Sequence, residues 1–186
     1  MIGAFARKSL DLIFTRAARN SLIVNPTDRI DIAPLPTGKF IDPPEQKFLV
    51  LTISSYTFRL LTMIHYSVTG ETNHYFNPEG EKHDFDNRFG EIGNLCCGAM
   101  KREMGHHFMH LGLSTPFTLS NKCMPFLDVL KPALVSQHKI DINNSVTLHA
   151  SLCLCAYADF DFNFDPRKHE EASGSLETLA GAIEFL

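Results

Sequence analysis

The chain has 186 residues, of which 44% are hydrophobic and 20% are charged. This composition is typical of one soluble globular domain and excludes an intrinsically disordered chain. The formal net charge of -4 does not favour a nucleic-acid binder, which normally carries a basic excess. No run of about 18 apolar residues is present, so the sequence predicts no membrane-spanning helix.

The cysteines indicate a reducing compartment. There are five, an odd number, and they lie in apolar stretches without evenly spaced pairs. This is typical of buried free thiols and not of a disulfide framework. The first residues, Met-Ile-Gly-Ala-Phe-Ala-Arg-Lys, lack the order of a secretory signal, in which charge precedes the apolar stretch. We therefore expect a cytoplasmic protein.

The first part of the chain predicts one helix followed by strands. Residues 2–19 have helix-spaced apolar positions and predict a helix. Residues 21–46 are rich in turn-forming residues and predict a loop with one short strand at 29–33. The density of β-branched and aromatic residues in 47–68 predicts two adjacent strands, which turn near residues 54–55.

The rest of the chain predicts a loop, a long helix, more strands and a last helix. The polar residues 69–82 predict the loop, and the long helix follows over about 83–102. Asn143-Asn144 predicts a hairpin turn, and residues 173–186 predict a short C-terminal helix. The strand-like segments are 116–120, 134–142 and 145–164. This order predicts an α+β fold around a mostly antiparallel sheet, with the long amphipathic helix packed on one face.

The long helix separates into two faces when its residues are placed at 100° intervals with Glu91 at 0°. Between about 40° and 180° lie the apolar residues Phe85, Phe89, Ile92, Leu95, Cys96, Ala99 and Met100. Between about 280° and 20° lie the polar residues and one glycine, His83, Asp84, Asn87, Glu91, Asn94, Gly98, Lys101 and Arg102. The first set predicts contact with the sheet, and the second predicts contact with solvent or a partner. Glu103 would fall back into the apolar arc, so we expect the helix to end between Arg102 and Gly105.

Within the polar face, Glu91 and Asn94 are three positions apart (i and i+3), which places their Cβ atoms about 5–6 Å apart. Gly98 lies one turn further along, and a glycine inside a helix costs about 1 kcal/mol relative to alanine. Room for another chain to approach would offset that cost. The structural alternative is that Glu91 and Asn94 are solvated surface residues without a function.

The segment Gly90-Glu91-Ile92-Gly93-Asn94-Leu95-Cys96-Cys97-Gly98 resembles the chemotaxis phosphatases of the CheX, CheC and FliY group. Their signature is Glu-x-x-Asn with a glycine four residues after the asparagine and an acidic residue a few positions earlier, which Asp84 or Asp86 would supply. Leu113-Ser114-Thr115-Pro116 is similar to the entry into the strand that follows the helix in these proteins. A single motif resembles the CheX type, which works as a homodimer.

The resemblance implies a function for the polar face. The substrate would be the aspartyl phosphate of a CheY-like receiver domain, whose own acidic pocket holds Mg²⁺, so no cofactor of this chain is expected. Asn94 would orient the attacking water, and Glu91 would pair with the receiver's active-site lysine. The partner-binding residues would be Asn87, Gly98, Lys101 and Arg102. The alternative is a non-enzymatic adaptor that binds a receiver or a flagellar-switch protein through the same helix.

Two other patterns predict metal sites only weakly. His106, His107 and His110 place two histidines at i and i+4, but without a third ligand they are more typical of an exposed cluster at a helix end. The acidic residues from Asp159 to Asp165 and Glu170 follow the spacing of a calcium loop, yet Phe164 occupies its glycine position. We expect residues 1–165 to form the CheX/CheC-like domain and residues 166–186 to form a C-terminal extension.

Overall fold

The computed structural model describes residues 1–36, 42–78, 80 and 85–167. The helices within these residues are α1 (Ala6–Ser21), α2 (Gly70–Phe76), α3 (Phe85–Met104) and a 3-10 helix (Asn121–Leu130). The strands are β1 (Ile30–Pro34), β2 (Lys47–Ser54), β3 (Phe58–Tyr66), β4 (Gly112–Leu113), β5 (Phe117–Ser120), β6 (Leu134–Ile142) and β7 (Val146–Ala156). The predicted α+β class is confirmed.

The strands form one antiparallel sheet in the order β1-β6-β7-β3-β2-β4, and β5 also pairs with β2. Both predicted hairpins are present. Strands β2 and β3 pair from Lys47 opposite Tyr66 to Ser54 opposite Arg59. Strands β6 and β7 are joined at Asn143-Asn144, where positive φ values of 52° and 55° suit the tight turn that matches strand twist.

Helices α1 and α3 pack side by side against one face of the sheet. Successive side chains of a strand point to opposite faces, so every second side chain points toward these helices. In β3 the residues at alternate positions, such as Leu60 and Ile64, are buried under the helices. The helix-spaced apolar residues of α1, including Leu10, Ile13 and Phe14, are fully buried. Fully burying each such side chain contributes about 1.5–3 kcal/mol to folding.

On the opposite face of the sheet, the 3-10 helix covers a smaller apolar cluster. Met124 and Leu127 pack there against Phe48, Val50 and other residues of the central strands. This helix was not among the predicted elements. Its N-cap is Ser120, whose side chain accepts a hydrogen bond from the backbone N–H of Lys122.

Two predicted segments differ from the structure. The predicted loop at 69–82 contains α2, which begins at the Thr69 N-cap, where the hydroxyl accepts a hydrogen bond from Thr72 N at 3.1 Å. The strand predicted over 145–164 ends at Ala156. Beyond it, the three phenylalanines at 160, 162 and 164 are buried by packing against α1 and Phe108, and only Phe160 forms a bridge, with Ile2. Alternate side chains of this segment are therefore buried although its backbone forms no continuous ladder of hydrogen bonds with another strand.

The predicted C-terminal helix at 173–186 lies outside the described residues, and so does most of the predicted extension from 166. The division of the chain into residues 1–165 and 166–186 remains a prediction.

Candidate functional site

Helix α3 carries the candidate site and ends as expected. The N–H of Gly105 bonds to the carbonyl oxygens of Lys101 and Arg102 at 2.9 and 3.1 Å, which closes the last turn. His83 and Asp84, at the start of the predicted helix, lie outside the described residues.

The buried face of α3 is rotated relative to the prediction. Leu95 was expected to face the sheet, but 65% of its surface is exposed. Gly93 and Cys97 are buried in its place. The reason is close packing on β2: a Cβ atom on Gly93 would lie 2.2 Å from Cδ2 of Leu49. Gly93 therefore lies on the side of the helix that approaches the sheet most closely, and Leu95 is turned toward the surface.

The rotation centres the exposed face on the Glu-x-x-Asn motif. Glu91 is exposed and Asn94 is half-buried. Within the described residues, neither side chain takes part in a hydrogen bond or an ion pair. Their spacing on one helix keeps the two Cβ atoms about 5–6 Å apart. A carboxylate and an amide are thus held next to each other on a rigid element, with their polar atoms available to a partner.

The predicted partner-binding residues surround this pair. Asn87 and Arg102 are exposed, and Lys101 and Gly98 are half-buried. A Cβ atom at Gly98 would meet no atom within 4 Å, so the space beside this glycine is open. Arg88 is also exposed on this face and was missed in the sequence analysis. Its position three residues before Glu91 could have identified it.

The acidic residue before the motif is tied into the fold. One carboxylate oxygen of Asp86 accepts a hydrogen bond from the Tyr66 hydroxyl at 2.7 Å, and the other lies 3.0 Å from Nζ of Lys47. The Tyr66 hydroxyl also lies 3.2 Å from Oγ1 of Thr118. Burial and the neighbouring Asp86 carboxylate raise the pKa of Tyr66, so its hydroxyl remains a donor. Asp86 thereby links the first turn of α3 to β2, β3 and β5.

A depression lies on each side of Glu91. On one side it is bordered by Asp86, Gly90 and Pro116, and on the other by Asn94 and Leu95. Pro116 belongs to the Ser-Thr-Pro segment singled out in the sequence. Ser114 of that segment pairs with Thr52, with its N–H donating to the Thr52 carbonyl and its hydroxyl accepting from the Thr52 N–H, both at 3.0 Å.

The cysteines of α3 are unsuited to nucleophilic chemistry, as expected. Cys96 and Cys97 are both fully buried. Burial raises the pKa of the Cys97 thiol to about 12 and raises that of Cys96 as well, so neither forms a thiolate at neutral pH.

The weak metal patterns do not assemble into sites within the described part of the chain. Helix α3 ends at Met104, so His106 and His110 do not share a helix face, and His110 has a left-handed φ of 57°. All three histidines of the cluster are exposed, as expected. In residues 1–36, 42–78, 80 and 85–167, no group of three or more His, Cys, Asp or Glu side chains could hold a metal ion.

None of the described helices is both long enough and apolar enough to cross a membrane.

Comparison with known proteins identifies the fold. No protein-family model matches the sequence, and no curated protein matches it. Among solved structures, the chain is similar to the chemotaxis protein CheX from Vibrio vulnificus, with a TM-score of 0.60 and 13% identity over 78% of this chain and 99% of that one. It is also similar to a chain of the CheX–CheY–BeF3–Mg²⁺ complex from Borrelia burgdorferi, with a TM-score of 0.58 and 9% identity over 80% of this chain and 97% of that one.

A third similar structure carries a different name. The FliM middle domain from Vibrio alginolyticus matches with a TM-score of 0.53 and 9% identity over 82% of this chain and 94% of that one. At these identities the likeness concerns the arrangement of helices and strands and not individual residues. The chain has the CheX/CheC-like fold.

Proposed function

We propose that the protein is a phosphatase that hydrolyses the aspartyl phosphate of a CheY-like receiver domain, with Glu91 and Asn94 as its catalytic pair. The observation that carries this proposal is the placement of the pair. Both residues lie on the outward side of α3, where Glu91 is exposed and Asn94 is half-buried, and neither is hydrogen-bonded to the described residues. Side chains with a structural role in the fold would be engaged by it, as Asp86 is.

In the proposed reaction, the oxygen of a water molecule attacks phosphorus, and the bond between phosphorus and the aspartyl oxygen breaks. The receiver's carboxylate and inorganic phosphate are released, and one proton passes to solvent. The Asn94 amide oxygen would accept a hydrogen bond from the water and hold it in line with the breaking bond. Glu91 would form a charge-assisted hydrogen bond with a lysine of the receiver and so fix the register of the two proteins. The Mg²⁺ in this scheme belongs to the receiver.

The helix supports such positioning because its backbone is fixed. Gly93, between the two catalytic residues, is packed against Leu49, and Asp86 anchors the first turn through Lys47 and Tyr66. Orientation of the reactants is the main contribution that a protein makes to phosphoryl transfer of this kind. A displacement of about 1 Å can reduce the rate about 100-fold.

The partner and its docking surface are part of the same proposal. The likeness to a chain of a CheX–CheY complex supports a receiver domain as the partner. Asn87, Gly98, Lys101 and Arg102 surround the catalytic pair and would contact the receiver, with Gly98 leaving room for its backbone. A cytoplasmic location and a homodimer remain predictions.

Phosphate release from phosphorylated receivers tests the proposal. A panel of receiver domains from the same genome would be phosphorylated with a small phosphodonor and incubated with the wild-type protein. We expect at least one receiver to lose phosphate faster, and Asn94→Ala to reduce that acceleration about 100-fold. Asn163→Ala is the matched control, because Asn163 is an asparagine at the surface that lies outside α3. Glu71→Ala is the corresponding control for Glu91→Ala.

Acceleration that persists in Asn94→Ala would overturn the assignment of this residue. The alternative function is an adaptor that binds a receiver or a flagellar-switch protein through the same face of α3. It is favoured by the fact that the FliM middle domain shares the fold, so the fold alone does not specify a phosphatase. Binding to a receiver without any acceleration, together with loss of binding in Arg102→Glu, would support the adaptor.

A further inference from the structure

Arg88 is a charged residue of α3 that the proposed reaction does not use. It is exposed, and within the described residues its guanidinium forms no hydrogen bond or ion pair. It lies three positions before Glu91, which places the Cβ atoms of the two residues about 5–6 Å apart. Arg88 and Glu91 are also the two residues that line both depressions beside the helix. A partner that covers Glu91 therefore covers Arg88 as well.

Other cations near the motif are engaged in the fold or lie further along the helix. Nζ of Lys47 lies 3.0 Å from a carboxylate oxygen of Asp86. Lys101 and Arg102 follow Glu91 at about 15–17 Å along the axis, since the helix rises 1.5 Å per residue. Within α3, all of which the structure describes, Arg88 is thus the one cation within two helical turns of Glu91.

Covering an exposed guanidinium removes its hydration, which is unfavourable unless an anion of the partner replaces the water. In the proposed complex, the pocket of the receiver over Glu91 contains acidic residues and the aspartyl phosphate. The acidic residues would hold Mg²⁺, and the lysine of the receiver would pair with Glu91. The phosphoryl oxygens that Mg²⁺ does not bind are then the anionic groups left to pair with Arg88.

The chemistry and the reach of an arginine suit this contact. Its planar guanidinium is always charged and donates two parallel hydrogen bonds to a phosphoryl group. Arg88 and Asn94 lie about 60° to either side of Glu91 around the helix axis and about 9 Å apart along it. The long side chain of Arg88, and the shorter one of Asn94 with its water, would therefore approach one group above Glu91 from two sides.

We propose that Arg88 binds the phosphoryl group of the receiver, so that the protein distinguishes a phosphorylated receiver from an unphosphorylated one. This inference rests on the proposed function for its partner. During hydrolysis the negative charge is spread over the equatorial phosphoryl oxygens, and the guanidinium would stabilise that charge while water attacks. Arg88 gives up no proton, and the bonds that form and break are those of the proposed reaction.

Binding to one receiver in two states tests the inference without any need for catalysis. The receiver of the panel that binds most tightly would be measured with Mg²⁺ alone and with Mg²⁺ plus beryllium fluoride, which takes the place of the phosphoryl group. We expect the wild-type protein to prefer the beryllium fluoride form, and Arg88→Ala to reduce that preference about 10- to 100-fold. Arg88→Lys should retain part of it, because lysine keeps the charge but not the planar fork.

Arg59→Ala is the matched control, because it removes the same charge from another surface. Arg59 is exposed on β3, and the adjacent Leu60 is buried in the core under the helices. Successive side chains of a strand point to opposite faces, so Arg59 lies on the face of the sheet away from α3. We expect Arg59→Ala to keep the wild-type preference. Both arginines are exposed, so neither substitution should alter the fold.

An unchanged preference in Arg88→Ala would overturn the inference, and the proposed function would still stand if Asn94→Ala slows phosphate release. An equal loss of affinity for both receiver states would also overturn it, since Arg88 would then serve docking in general. Failure of every receiver to bind in either state would overturn it together with the proposed partner. If the preference depends on Arg88 but no receiver loses phosphate faster, the phosphatase proposal fails and phosphoryl recognition stands. If both hold, Arg88→Ala should also slow phosphate release at saturating receiver concentration.

Discussion

Gly93 is the residue whose substitution most directly tests how α3 is placed on the sheet. In Gly93→Ala, the new methyl group would lie 2.2 Å from Cδ2 of Leu49 and 3.3 Å from Cδ1 of Leu51. Leu49 is buried in the main core, so it cannot move without disturbing its neighbours. Overpacking of this kind costs about 1–3 kcal/mol of stability. Replacing a helical glycine by alanine gains about 1 kcal/mol, so the expected net loss is about 0–2 kcal/mol.

Gly98→Ala provides the matched comparison, because it makes the same substitution in the same helix. A Cβ atom at Gly98 meets nothing within 4 Å, so only the helix-propensity gain of about 1 kcal/mol remains. The difference in unfolding free energy between the two variants therefore isolates the clash with Leu49, at about 1–3 kcal/mol. Urea denaturation followed by far-UV circular dichroism measures it. Equal stabilities of Gly93→Ala and Gly98→Ala would refute the close approach of α3 to β2.

Three further predictions concern the anchor of the helix, a buried histidine and the position of the proposed catalytic pair along the helix. Tyr66→Phe removes the hydrogen bond to Asp86 and should lower the unfolding free energy by about 1–2 kcal/mol in urea denaturation. Burial lowers the pKa of His65 to about 4, so the unfolded chain binds a proton that the folded chain does not between about pH 6.5 and 4. The unfolding free energy should decrease as the pH is lowered through that window, by up to about 1.4 kcal/mol per pH unit. The pH dependence of the unfolding free energy should be weaker in His65→Gln. Moving the amide by one residue, in the double variant Asn94→Ala with Leu95→Asn, rotates it by about 100° and should not restore phosphate release.

Much of the fold could be predicted because its signals are local. The hairpin at Asn143-Asn144 follows from two residues that tolerate positive φ, and the burial of one stripe of α1 follows from its periodicity. Helix α2 was missed because its single strong signal is the Thr69 cap, within a segment whose composition is that of a loop. The end of β7 was missed because an alternating Phe pattern reports which side chains are buried and not whether the backbone has a pairing partner.

Some features of the candidate site could likewise be predicted from the sequence, and others could not. The exposed position of Glu91 could be predicted from periodicity, because Glu91 lies about 40° outside the predicted apolar arc, and the observed rotation of the helix moves the buried face further from it. The environment of Asp86 could not, because Lys47 and Tyr66 come from strands that are distant in sequence. The exposure of Leu95 could not be predicted either. A helical wheel gives no weight to Gly93, although this residue determines which side of α3 approaches the sheet.

The absence of one side chain, at Gly93, thus has two effects on the same surface. Close contact with Leu49 turns the helix so that Glu91 is exposed on the side away from the sheet, as the proposed docking over a partner's active site requires. The same rotation brings Leu95 to the surface beside the proposed catalytic pair. A carboxylate and an amide next to an exposed leucine line an open depression of mixed polarity, unlike the largely enclosed pockets that bind small molecules. The geometry of α3 therefore supports the proposal of a protein partner, and it explains why the proposed catalytic pair lies beside exposed apolar side chains.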